Sequence, residues 1–136
     1  MAVYLANKGI LTVNAVDLSS LVSSVTINRS ADELEVTALG DVGHRFVKGL
    51  EASSITIDFF NDPEALKTLQ TLNTYWGQNV VVTFKQQDAV LSASNPLYTM
   101  TCLINNTTPV NGAVGDLSTQ SVTWNVSGTI DVDTTP

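Results

Sequence analysis

Hydrophobic and polar residues along this chain alternate far more often than they recur at helical spacing. The clearest case lies near the C-terminus. Val122, Trp124, Val126, Gly128, Ile130 and Val132 alternate with Thr123, Asn125, Ser127, Thr129 and Asp131. Strict period two over that length predicts one strand from Val122 to Val132, with one face for a core and the other for water. Four further runs read the same way. Ser53 to Phe60 sets Ile55, Ile57 and Phe59 against Ser54, Thr56 and Asp58. Tyr98 to Ile104 groups Tyr98, Met100, Cys102 and Ile104, and Leu21 to Arg29 sets Val25 and Ile27 against Ser24, Thr26 and Asn28. Val80 to Phe84 is almost continuously apolar, which predicts a strand covered on both faces. A sixth, weaker run alternates Leu34, Val36 and Ala38 with Glu33, Glu35 and Thr37.

Only one helix is predicted, over residues 63–76. Asp62 suits the N-cap, Pro63 the first helical position and Glu64 the positive end of the helix dipole. Leu66, Leu69, Leu72 (or Asn73) and Trp76 follow at three-to-four spacing, and Gly77 is the stop signal. Residues 40–52 and 105–118 are rich in glycine and read as long loops, which in small domains tend to carry function. Residues 1–17 read as an N-terminal arm and residues 133–136 as a flexible end. The expected architecture is a single, mainly β domain of 136 residues with one packed helix.

Composition narrows the chemistry. Ser and Thr supply 29 residues, and 43% of the chain is hydrophobic against 14% charged, enough apolar material for a core. Thirteen acids against six bases leave a net charge of −7, which argues against general nucleic-acid binding through Lys and Arg. A single cysteine, Cys102, excludes an intrachain disulfide, and a single histidine, His44, excludes any site that needs two. No apolar run approaches the ~20 residues of a membrane span, and MAVYLANKGI has no signal-peptide pattern.

Candidate sites are correspondingly few. His44 lies in a glycine-rich stretch with no nucleophile motif, so a solvent-facing histidine is the better reading. Cys102 falls on an apolar face, where burial raises the thiol pKa and suppresses reactivity. Asp32, Glu33 and Glu35, and again Asp131 and Asp133, lack EF-hand spacing and read as solvated acidic faces. Trp76 and Trp124 fall on the apolar sides of their elements and read as core. No catalytic residue, metal ligand or cofactor is expected, and the chain does not read as an enzyme.

The segment Glu35-Val-Thr-Ala-Leu-Gly-Asp41, the loop to Gly49-Leu50 and the strand Ser54-Ile-Thr-Ile-Asp-Phe59 together resemble the major tail tube proteins of long-tailed bacteriophages. So do the turn Asn61-Asp-Pro-Glu-Ala65, the Gly-Asp pair in the loop Pro109–Leu117 and the closing run Ser121–Ile130. The resemblance spans about residues 18–132 and lies in the order and spacing of these pieces. It implies a β-sandwich or barrel-like protomer with a flanking helix. Six copies would form a ring, and rings would stack into a hollow tube that conducts genomic DNA to the host. Implied partners are further copies of the chain, a tape measure protein inside the tube, and tail tip and terminator proteins at its ends. DNA would pass without specific binding, and no membrane insertion by this chain is expected. The place of action would be the virion tail, assembled in the host cytoplasm.

Two sets of residues follow as candidates. Arg45, Phe46, Val47 and Lys48 lie in the long loop and suit contacts between stacked rings, because exposed hydrophobes there have no evident partner. Glu33, Glu35, Asp58, Asp131 and Asp133 lie on or beside polar strand faces and suit a lumen that repels phosphates. The competing readings are another ring-forming tail protein, a terminator or distal tail component, and a monomeric β-sandwich ligand-binding module.

Overall fold

Each long strand carries its hydrophobic side chains on one face, and the chain buries those faces by setting two antiparallel sheets against each other. The computed structural model describes residues 8–135. The strands are β1 (Ile10–Val13), β2 (Val16–Asp17), β3 (Val22–Asn28), β4 (Ala31–Glu35), β5 (Phe46–Glu51) and β6 (Ser54–Phe60). After the helix α1 (Thr68–Thr74) come β7 (Asn79–Lys85), β8 (Leu97–Leu103), β9 (Thr119–Asn125) and β10 (Asp131–Asp133). The first sheet has the order β10-β8-β7-β1-β2, the second β3-β6-β9, and β4 pairs with β5 in a separate two-stranded arm. The molecule is therefore mainly β with a single α-helix, as its alternation predicts.

The core lies between the sheets. Leu11, Val13, Val80, Val82, Met100 and Cys102 of the first sheet meet Ile55, Ile57, Phe59, Val122 and Trp124 of the second, all buried. The Phe59 and Trp124 rings pack at 6.3 Å between centroids. The Trp124 indole N–H donates to the Asn106 carbonyl at 3.2 Å, so the largest core side chain leaves no polar atom stranded.

Several expectations are corrected. The eleven-residue C-terminal strand is two strands in two sheets. Its partner β6 offers only seven residues, ending at Ser54 opposite Asn125. Beyond that point Val126 bridges to Cys102, and Gly128 turns the chain at a φ of +99° that glycine adopts without strain. Asp131–Asp133 then joins β8, so Asp133 is a strand residue. Ile130 still reaches the core, but all three residues of β10 are exposed, Val132 at 38%. Strand β7 is covered on one face only: Val80 and Val82 are buried, whereas Val81 is 44% exposed.

The helix is half as long as predicted. Asp62 accepts a hydrogen bond from the Glu64 N–H at 3.0 Å and closes a turn, and Leu66 then takes a left-handed φ of +59°. Helix geometry starts only after Lys67, with the Thr68 hydroxyl tied to the Phe60 carbonyl at 2.9 Å. Thr68, Thr71 and Leu72 are the buried positions, while Leu66 and Trp76 are exposed. The expected N-terminal arm is also revised. Residues 10–17 form a β-hairpin of the first sheet, turning at Asn14 and Ala15 with φ of 49° and 66°, and residues 1–7 lie outside the described residues.

Candidate assembly surfaces

Strands β3 and β6 pair up to Asn28 opposite Ser54, and their ladder does not stop there. The Ala52 N–H donates to the Ser30 carbonyl at 2.7 Å, and β4 and β5 continue the same hairpin as an arm. The Val36 N–H extends it further, donating to the Arg45 carbonyl at 2.8 Å. The glycine-rich stretch expected as a loop over 40–52 is therefore half strand. Every residue of β4 is exposed, and β5 is exposed except for partial cover at Gly49 and Glu51.

Pairing decides which side chains share a face of the arm. Leu34 lies opposite Val47, and Val36 follows two residues on beside Arg45, giving a largely apolar face. Glu33 opposite Lys48 and Glu35 opposite Phe46 make the other. Asp32 and Gly49 sit with Leu34: a Cβ on Gly49 would come 2.9 Å from the Asp32 Cβ and 3.2 Å from Leu34. The register shifts between Ala31 and Glu33, whose partners are Glu51 and Lys48, so β5 carries one extra residue there.

Polar contacts shape the end of the arm without burying it. The Thr37 hydroxyl donates to the Glu35 carboxylate at 2.7 Å, and His44 Nδ1 lies 2.6 Å from the same oxygen. Those two hydrogen bonds, Thr37 first, hold the Glu35 pKa below its ordinary value. Arg45 pairs with Asp41 at 3.4 Å, and Lys48 with Glu51 at 3.3 Å. At the tip, Leu39 and Val42 are fully exposed. Of the four residues expected to join rings, Arg45, Phe46, Val47 and Lys48 all lie on this arm, with Phe46 and Lys48 on the charged face. Leu34 and Val36 were not among them, although their alternation with Glu33 and Glu35 already marked them as one face of a strand.

The five acidic candidates do not converge. Glu33 and Glu35 are on the arm, Asp131 and Asp133 on the edge strand of the first sheet, and Asp58 on β6 in the second. The outer face around Asp58 has a consistent chemistry. Ser24, Asp58 and Ser121 lie side by side, then Thr26, Thr56 and Thr123, then Asn28, Ser54 and Asn125. Thr56 and Thr123 share a hydrogen bond of 3.0 Å between their hydroxyls. None of the six Lys and Arg residues is among these nine positions, which hold hydroxyls, amides and a single carboxylate, and Phe60 follows Asp58 on the same face opposite Thr119.

Reactive chemistry is sparse. Cys102 is fully buried, and desolvation pushes its thiol pKa up to about 12. His44 is largely exposed and, among the described residues, is engaged only by Glu35 and by the Phe46 ring, 6.2 Å away between centroids. Among the described residues no group of His, Cys, Asp and Glu could hold a metal ion, and no helix is long and apolar enough to cross a membrane. Compared with known proteins, the chain matches no family model and no curated protein.

Proposed function

We propose that this chain is a structural tail tube protein of a long-tailed bacteriophage, whose copies form hexameric rings that stack into a hollow DNA conduit. The observation that carries the reading is the β4–β5 arm. A lone two-stranded hairpin is at best marginally stable in water, and this one exposes Leu34, Val36, Phe46 and Val47 beyond the sandwich. Side chains of this kind in a protomer indicate burial against something else, and self-assembly supplies it. The resemblance of Glu35–Asp41 and Ser54–Phe59 to tail tube proteins supports the same reading, because those segments are the arm and the strand that anchors it.

The outer face of the β3-β6-β9 sheet is the best candidate for the lumen. Duplex DNA adheres to proteins chiefly through Lys and Arg on phosphates, and this face has neither. Its one charge, Asp58, would repel the cargo, and the chain would work without catalysis or cofactor. Of the acidic candidates, Asp58 is therefore the one kept for the lumen. Negative-stain electron microscopy of the concentrated protein tests the proposal: stacked rings with a stained centre are expected, and particles that stay compact and monomeric at every concentration oppose it. Isolated rings that never stack would favour another ring-forming tail protein. In assembled tubes, Asp58→Lys should make linear DNA bind measurably at low salt and release as salt rises, where the native tube binds none.

A further inference from the structure

Among the described residues, the sandwich is open beside β3. Two adjoining pockets of about 320 and 310 Å³ share Val25, Phe84 and Gln86 and form one groove between the β3 edge and the end of β7. Val25, Ile27, Phe84 and Tyr98 give it an apolar floor. Gly9 makes room for that floor, since a Cβ there would come 2.8 Å from the Phe84 ring. Among the described residues the outer edge of β3 pairs with no strand. The opposite edge of the same sheet is treated differently. Along β9, Asn106 donates to the Thr123 carbonyl and Asn111 to the Thr119 carbonyl, both at 2.9 Å, so side-chain amides close that edge. The groove also carries one charge, Arg29, whose guanidinium has no hydrogen bond or ion pair among the described residues.

The arm is the complement of this groove. Its apolar face, Leu34, Val36 and Val47, needs cover, and Asp32 on that face is a carboxylate with no partner among the described residues. We propose that the arm of one copy lies in the β3–β7 groove of the next, with Leu34 and Val47 over Ile27 and Phe84 and Asp32 paired to Arg29. The proposal rests on the reading that copies of this chain assemble with one another, and it names the surface that receives the arm. Arm and groove are different patches of one molecule, so the contact is heterologous and each docked copy presents a free groove or arm to another. Such a contact propagates into a ring or an open stack, which a two-fold symmetric patch cannot do.

Charge exchange tests it. Arg29→Asp and Asp32→Arg are exposed substitutions at side chains with no partner among the described residues, so each variant should keep the native melting temperature. Each should weaken self-association, followed by sedimentation velocity, on the order of 100-fold by placing like charges together. The double variant carries both changes and should recover native association, since every contact again joins opposite charges. In a second measurement, the chain with Ile27→Cys and Val47→Cys should give an interchain disulfide ladder on oxidation. Single variants that associate like the native chain, a double variant as weak as the singles, or a native chain that never associates would overturn the proposal. So would a disulfide forming within one chain between Ile27→Cys and Val3→Cys, which would give the groove to residues 1–7. Tubes unaffected by the charge changes would refute the docking and leave the tube reading standing. Charge rescue in closed particles without a lumen would do the reverse.

Discussion

The hairpin that runs from β3–β4 to β5–β6 is one continuous ladder with two fates. In its inner half, Ile55, Ile57 and Phe59 are completely buried under the opposing sheet. In its outer half, Leu34 and Val47 share one face by the same alternation and remain about half exposed. The backbone pairing is alike in both halves; what differs is whether a second layer lies over the apolar face. Period-two alternation therefore reports that a face is meant to be covered, without saying whether the cover comes from the same chain.

Substitutions can break this contrast, and the core side is where the largest effect on folding is expected. Trp124→Ala should lower the unfolding free energy in urea by about 3–5 kcal/mol, because it empties the space between the sheets. Phe46→Ala should stay within about 0.5 kcal/mol of native, since the ring is covered only on the arm itself. Equal losses would mean that the arm is part of the folding unit. Assembly should invert the ranking. Arg45→Glu combined with Phe46→Ala should leave a folded monomer by circular dichroism and reduce tube growth about tenfold or more, as losing an interface anchor does. Tubes of native length from that variant would remove Arg45 and Phe46 from the contact.

Smaller effects sharpen the comparison. Gly49→Ala places a methyl group 2.9 Å from the Asp32 Cβ, so strands β4 and β5 must shift apart at the bulge. Hydrogen exchange should quicken across residues 31–51 and stay native across β6 and β9. The smallest effect is that of pH on the arm. The Glu35 pKa is depressed in the folded chain by Thr37 and His44, so its stabilising contribution is complete above the usual carboxylate range. It is lost as pH falls through that depressed value. Amide signals of residues 35–45 should therefore change on acidification before those of the core, and the change should vanish in Glu35→Gln.

Much of the inner half was legible from alternation alone. Ile55, Ile57 and Phe59, Met100 and Cys102, and Val122 and Trp124 are core residues where period two put them. The predicted helix failed for a local reason: a carboxylate that can cap a helix can also close a turn, and at Asp62 it closes a turn. Trp76 went with it, because a stripe at helical spacing has no meaning once the helix starts five residues later. The C-terminal strand failed for a non-local reason, since nothing in its own residues says that β6 ends at Ser54. Gly128 was the visible signal for the break, but glycine also fits one position of an alternating run.

The contact residues divide along the same line. The exposed hydrophobes of the long loop were evident as unpaired side chains, yet Leu34 and Val36 joined them only when register set Leu34 against Val47. The five acids could be placed on polar faces, but not on the same one. Sequence by itself determined which side chains must leave water and which face of each strand they share, because alternation is a property of the strand alone. Tertiary structure decided which strands face each other, where the hairpin outruns its cover, and that Arg29 and Asp32 stay unpaired among the described residues, because those depend on where the partner layers end.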